Sequence, residues 1–173
     1  MAISIIEIKA RCSNQDKIRR ILKEENAIFK GKDHQIDTYF NVPNGRLKLR
    51  EGAIENNLIH YERPNQKGPK RSSVLLYKST PGSSLKAVLA QANGVVVIVD
   101  KIREIYFIDN IKFHIDSVKN LGTFIEIEAI DEEGEISPAQ LKQQCQSYLK
   151  KFEVDEKDLV DCSYSDLLLK KIK

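Results

Sequence analysis

Residues 123–131, TFIEIEAID, alternate as a β-strand does. The alternation sets Glu126 and Glu128 in line with Phe124 and Ile130, while Ile125, Ile127 and Ala129 occupy the other face. A strand built this way restricts the fold: its aliphatic face needs a cover, and its acidic face needs water or cations. The division recurs along the chain. In a first strand over Ile3–Arg11, Ile6, Ile8 and Ala10 lie opposite Ile5, Glu7, Lys9 and Arg11. In GRLKLRE, Arg46, Lys48 and Arg50 share a face opposite Leu47 and Leu49. Lys101 and Arg103 share a face of the long run VVVIVDKIREIYFID, opposite Ile98, Ile102 and Tyr106. Arg63 and Lys78 lie on the two strands between, and Asp116 on NIKFHIDSV.

These charges are sorted by sign, with cations on the middle strands and anions on the first and the last two. A solvated face of a half-buried antiparallel sheet is the plainer source of alternation. Such a face mixes signs, because like charges directly opposite on neighbouring strands repel. If the sheet closes on itself, Glu7, Asp116, Glu126 and Glu128 converge on one wall and the cations on the other, with the aliphatic faces outward beneath helices. Unpaired buried charge costs several kcal/mol per ion, so such a lumen holds water, metal and an anion. Carboxylates clustered with no nearby His or Cys favour a hard cation, Mg²⁺ or Mn²⁺. Arginines facing them favour phosphate, whose oxygens match the guanidinium fork.

The order of elements agrees with closure. Ser13 reads as the cap of a helix to about Glu25, with Ile18, Ile21 and Leu22 as its apolar stripe. Asn44-Gly45 between two alternating runs marks a tight hairpin. LIHYERP and SSVLLYKST continue the sheet across the basic loop NQKGPKR. A helix carrying Leu85, Val88, Leu89 and Ala92 ends at Asn93-Gly94, and Ser137-Pro138 opens another. The tail SYSDLLLKKIK reads as a last short helix packing through Tyr164, Leu167 and Leu168. The expected fold class is α+β: about eight antiparallel strands in a barrel with helices outside, in one domain over residues 1–173.

Composition excludes several functions. Lys and Arg exceed Asp and Glu by 28 − 25 = 3, too little for a chain that binds nucleic acid by overall charge. No stretch reaches the roughly 18 to 20 apolar residues of a membrane helix, and MAISIIEIKAR lacks the pattern of a signal peptide, so a cytoplasmic protein is expected. Cys12, Cys145 and Cys162 have neither the number nor the spacing of a disulfide framework or zinc site and read as reduced packing residues.

The pieces IEIKAR, DTYFNVPNGRLKLRE, YERP, YKS, DKIREIY, FHIDSV and LGTFIEIEA, in this order from the N-terminus to about residue 130, resemble the CYTH superfamily, the triphosphate tunnel metalloenzymes. The DTYF…GRLKLRE and FHIDSV…LG…EIE pattern is most similar to the class IV adenylyl cyclase branch. The resemblance implies an eight-stranded tunnel binding a triphosphate and Mg²⁺ or Mn²⁺. It assigns metal binding to Glu7, Asp116, Glu126 and Glu128. Phosphate binding falls to Lys9, Lys48, Arg50, Arg63, Lys78, Lys101 and Arg103, with Lys9 also the catalytic candidate. Arg46, beside the turn, ranks lower. The family's opening Glu-x-Glu-x-Lys here begins with Ile5, which removes one carboxylate and bears on a second metal.

The implied activity is cyclisation of ATP to cyclic AMP and pyrophosphate. The alternatives are hydrolysis of thiamine triphosphate, inorganic triphosphate or a nucleoside triphosphate, and a non-catalytic polyphosphate-binding module. A nucleic-acid-binding barrel is disfavoured because the cation faces carry Val74, Leu76, Val97 and Val99 rather than aromatic platforms. His114 shares a face with Asp116 and could reach the tunnel, but a hydrogen-bonded structural role is the favoured reading, while Asp37 and Tyr39 fit a tunnel position or a cross-strand pair equally. His34 and His60 carry no role. The oligomeric state stays open, with a homodimer among the expected partners.

Overall fold

A computed structural model of the chain describes residues 3–172. Eight strands, β1 (Ile3–Arg11), β2 (Ile28–Phe40), β3 (Arg46–Glu51), β4 (Asn57–Glu62), β5 (Lys70–Lys78), β6 (Val95–Ile108), β7 (Ile111–Val118) and β8 (Gly122–Asp131), are joined with helices α1 (Gln15–Glu24), α2 (Leu85–Asn93), α3 (Pro138–Lys151) and α4 (Tyr164–Ile172). Every strand pair is antiparallel, and the order β1-β5-β4-β3-β2-β6-β7-β8 closes into a barrel through β8 against β1.

Closure follows from the two-faced strands. Ile6, Ile8, Ala10, Ile115, Ile125 and Ile127 turn outward into a hydrophobic layer between the wall and α1 and α3. Ile18 and Leu22 of α1 and Leu141 and Cys145 of α3 complete that layer, and Phe113 meets Tyr148 edge-on at 4.8 Å. The principal apolar core therefore lies outside the barrel wall. The polar faces have nowhere to go but the lumen.

Local signals set the boundaries. Gly45 at φ 64° turns the β2–β3 hairpin, whose register pairs Tyr39 with Lys48 and Asp37 with Arg50. α3 starts with a capping box between Ser137 and Gln140 and with Pro138 in its first turn. The cap of α1 is Asn14 rather than the expected Ser13: the Lys17 N–H donates to Asn14 Oδ1 at 3.1 Å. β2 begins at Ile28, well before QIDTYF, because the 14-residue β6 supplies partners back to Phe107. α2 forms over its apolar stripe, yet none of its residues is fully buried, and Val88 is 59% exposed. All three cysteines are free, and Cys145 and Cys162 are buried.

The segment leading into α4 folds back over one end of the barrel. Tyr164 is buried there, edge-on to Phe124 at 4.9 Å, in a cluster with Tyr39, Tyr61, Val99 and Val160. That end is sealed by side chains, and the lumen opens at the other.

Candidate active site

The lumen is a cavity of about 270 Å³. β1 and β8 supply Glu7, Lys9, Glu126 and Glu128; β3, β4–β5 and β6 supply Lys48, Arg50, Arg63, Lys101 and Arg103. Nine of the sequence-designated residues thus line one chamber. Two stand apart. Lys78 is exposed at the end of β5, paired with Asn57 across the rim. Asp116 is fully buried behind Arg103, which donates to it from Nε at 2.7 Å and Nη2 at 2.6 Å, and the Tyr164 hydroxyl adds a 2.7 Å bond. As placed, its oxygens serve Arg103 and Tyr164.

The basic wall is organised by a carboxylate. Asp37 is 1% exposed and accepts from Arg50 Nε at 2.8 Å and Nη2 at 2.9 Å, and from Lys48 and Lys101 Nζ at 2.9 Å each. Burial alone raises a carboxyl pKa, but the charges of Arg50, Lys101 and Lys48 outweigh it and hold Asp37 well below the usual carboxylate range. Of the two sequence readings, Asp37 takes the cross-strand one, its partner being Arg50, while Tyr39 lines the cavity. The Asp37–Arg50 pair extends beneath the lumen cations.

Glu55, on the β3–β4 loop, is a second carboxylate on the basic side. It accepts from Arg50 Nη1 at 2.9 Å, Gln35 Nε2 at 3.1 Å and Lys112 Nζ. Buried Asp33 fixes that loop by accepting the N–H groups of Ala53, Ile54 and Glu55 at 2.7, 3.1 and 3.1 Å. A Cβ on Gly52 would lie 2.5 Å from Asp33 Oδ2. Gly52→Ala is therefore expected to destabilise the protein by about 1–3 kcal/mol, as overpacking does. Chemical denaturation checks this, and an unchanged midpoint would contradict the Asp33 clamp.

The acidic side contains a nitrogen that sequence reasoning left out. His114 is buried, with Nδ1 3.0 Å from Glu126 Oε2 and 3.7 Å from Glu128 Oε1. Burial, then the neighbouring Arg103, pushes its pKa down and favours the neutral imidazole. Among the described residues, one donor atom from each of His114, Glu126 and Glu128 falls within 4.8 Å of the others, a group that could hold a cation. A nitrogen beside two carboxylates suits Mn²⁺ as well as oxygen-preferring Mg²⁺. Glu126 also bonds Lys9 at 2.6 Å and Arg103 at 2.8 Å, which keeps its carboxyl well below the usual range against the opposing effect of burial. Lys9 lies 3.7 Å over the Tyr164 ring. His34 and His60 are elsewhere, on Asp100 and the Asn44 carbonyl.

Arg63 is the group least accounted for by the protein itself. Its Nη1 donates to Glu7, but Nε and Nη2 are buried without a partner. Burial lowers its pKa against the opposing charges of Glu126, Asp166 and Glu128. Buried donors are normally satisfied, so two orphaned N–H groups in a charged cavity fit an anion.

A CYTH domain model matches residues 5–164, and the chain belongs to that family, whose name as triphosphate tunnel metalloenzymes implies a divalent metal. The sequence matches none of the curated proteins. Among solved structures, a protein of Pyrococcus horikoshii superposes with a TM-score of 0.80 at 24% identity, covering 96% of this chain and 99% of its own. A candidate adenylate cyclase of Vibrio parahaemolyticus gives 0.77 at 21% identity, over 95% of this chain and 97% of its own. A candidate adenylyl cyclase from Hippeastrum, described as having a dominant triphosphatase activity, gives 0.63 at 13% identity, over 99% of this chain and 96% of its own. At these identities the likeness shows the shared tunnel fold.

Proposed function

We propose that the protein is a divalent-metal-dependent enzyme acting on a triphosphate held in the tunnel, with cyclisation of ATP as the leading reaction. The observation that carries this reading is Arg63, a guanidinium that lines a chamber rich in Lys and Arg and has two buried donors without a partner. Arg63, Lys48, Arg50, Lys101 and Arg103 bind phosphate oxygens, and Asp37 keeps Lys48, Arg50 and Lys101 in position. Lys9, between Glu126 and Tyr164, meets charge that develops on a phosphoryl oxygen.

His114, Glu126 and Glu128 fit the metal and would hold it, with Glu7 on the neighbouring strand. When bound, it neutralises phosphate charge and activates the attacking oxygen. In the cyclase reaction the ribose 3′-hydroxyl attacks the α-phosphorus and pyrophosphate leaves. In the hydrolase reaction water attacks the terminal phosphorus, the bond to the bridging oxygen breaks, the diphosphate leaves and orthophosphate is formed. The second reading is favoured by the sealed end of the barrel, which allows a terminal phosphate to sit among buried Lys9, Lys101 and Arg103.

Incubation with ATP, thiamine triphosphate or inorganic triphosphate, with Mg²⁺ or Mn²⁺, separates these outcomes by product. Cyclic AMP with pyrophosphate identifies the cyclase, and orthophosphate the hydrolase. Tight binding without turnover in Mn²⁺ would identify a binding module. Absence of both binding and turnover would overturn the proposal. Glu128→Gln is expected to reduce metal-dependent turnover at least about 100-fold, in the range for loss of a charge-stabilising group, with an unchanged circular dichroism spectrum. Glu128 gives a cleaner test than Glu126, because Glu126→Gln also removes the ion-pair partner of Lys9 and one of the two carboxylates on Arg103.

A further inference from the structure

A carboxylate of the protein itself occupies part of the basic wall. Asp37 takes Nε and Nη2 of Arg50, and Glu55 accepts from Nη1 at 2.9 Å through one oxygen. The other oxygen of Glu55 accepts from Lys112 Nζ. Lys112 is not among the residues that the sequence designates, yet it lines the same cavity, opposite Glu128 in the β7–β8 register. Arg50 is on β3 and Lys112 on β7, strands that are not neighbours in the barrel, so Glu55 joins the basic wall to the edge of the carboxylate cluster. Asp116 marks the sealed end of β7 through its bond to Tyr164, and Lys112 lies nearer the opposite end of that strand.

The backbone under this bridge is fixed. Asp33 holds the N–H groups of residues 53–55, and Gly52 and Asn56 bond each other, Gly52 N–H to Asn56 Oδ1 at 3.2 Å and Asn56 Nδ2 to the Gly52 carbonyl at 2.7 Å. The Glu55 side chain borders the cavity, so rotation about its own bonds is enough to release both cations. Burial would raise its carboxyl pKa, but the charges of Arg50 and Lys112 outweigh this and hold it well below the usual carboxylate range. Carboxylate and phosphate oxygens accept the same charge-assisted bonds from Arg and Lys, and two anions side by side repel. Glu55 and a phosphate group therefore exclude one another between Arg50 and Lys112.

We infer that Arg50 and Lys112 form a phosphate subsite on the mouth side of the lumen, and that Glu55 is its intramolecular competitor, displaced by rotation of its side chain when a triphosphate binds. This rests on the proposed triphosphate-binding function and adds a binding residue, Lys112, and a control on occupancy, Glu55. The consequence is a threshold. An anion of low charge cannot replace both Glu55 ion pairs, whereas a polyanion that engages several lumen cations at once can.

Calorimetric titration with inorganic triphosphate, without divalent metal so that turnover does not intervene, tests the assignment. Glu55→Gln, which keeps the size of the side chain and removes its charge, is expected to bind about tenfold more tightly than wild type. Glu55→Ala should change affinity in the same direction. Lys112→Met added to Glu55→Gln is expected to return the affinity to near the wild-type value. Glu132→Gln removes another, exposed carboxylate of the cavity lining and is expected to stay within about twofold of wild type, because solvent screens it. Unchanged or weaker binding by both Glu55 variants would overturn the inference and make Glu55 an organiser of Arg50. A gain in Glu132→Gln as large as in Glu55→Gln would also overturn it, by reducing the effect to general charge repulsion, as would a gain that survives Lys112→Met. Failure of every protein, wild type included, to bind would reject the triphosphate-binding function, and this inference with it.

Discussion

Asp37→Asn is expected to cost about 3–5 kcal/mol of folding stability, the range found when one partner of a buried ion pair is removed. The substitution keeps the shape of the side chain and removes its charge, leaving Arg50, Lys48 and Lys101 facing one another around a neutral amide. A fall of roughly 10 °C in melting temperature accompanies a loss of this size in a chain of this length. The pH dependence follows from the depressed carboxyl. A carboxyl whose folded pKa lies below its unfolded value of about 3.9 contributes stability above that value and loses it as pH falls through the folded pKa. The difference between wild type and Asp37→Asn should therefore be full near neutrality and shrink below about pH 4. Glu55 and Glu126 have lowered values too, so only the difference between the two proteins isolates Asp37. An Asn variant as stable as wild type at pH 7 would show that the cations do not need this anchor.

Arg63→Met is expected to weaken binding of inorganic triphosphate by about 100-fold or more. A hydrogen bond to a charged group contributes about 1.5–3 kcal/mol, and Arg63 has two unpartnered donors. Stability should fall much less than in Asp37→Asn, because Met replaces a cation that burial already disfavours and Glu7 keeps access to solvent. Arg63→Lys should recover only part of the affinity, since an ammonium lacks the planar fork. Titration of the three proteins with inorganic triphosphate measures this. Equal affinities would remove Arg63 from the anion site.

The barrel was legible because its strands carry the pattern of the fold directly. Period-2 alternation separated Ile6, Ile8 and Ala10 from Glu7 and Lys9, and the sorting of charge by sign implied which strands face each other. Asp37 is harder to read, since its nearest neighbours on the same face, Gln35 and Tyr39, are uncharged and give no sign of a cation cluster. Its role appears only when the Asn44-Gly45 turn is used to count the register to Arg50. His114 was assigned to structure because one imidazole on a strand does not reveal its cross-strand partner, Glu126. Glu55 gives no signal, and Tyr164 only that of a packing residue on the last helix. Glu55 lies on a loop without periodicity, and Tyr164 reaches the lumen from a helix 40 residues beyond Phe124. The α2 stripe shows the opposite failure: helical spacing formed the helix, but no tertiary partner fully buries its apolar residues.

The most direct test of the charged lumen is a crystal structure grown with Mn²⁺ and a non-hydrolysable organic triphosphate analogue, using anomalous scattering to locate the metal. The expected result is phosphate oxygens within hydrogen-bond distance of Arg63 Nε and Nη2, and a manganese peak beside Glu128 inside the barrel. A manganese peak and phosphate density on the outer surface, with the lumen unchanged and Arg63 Nε and Nη2 still without partners, would contradict it.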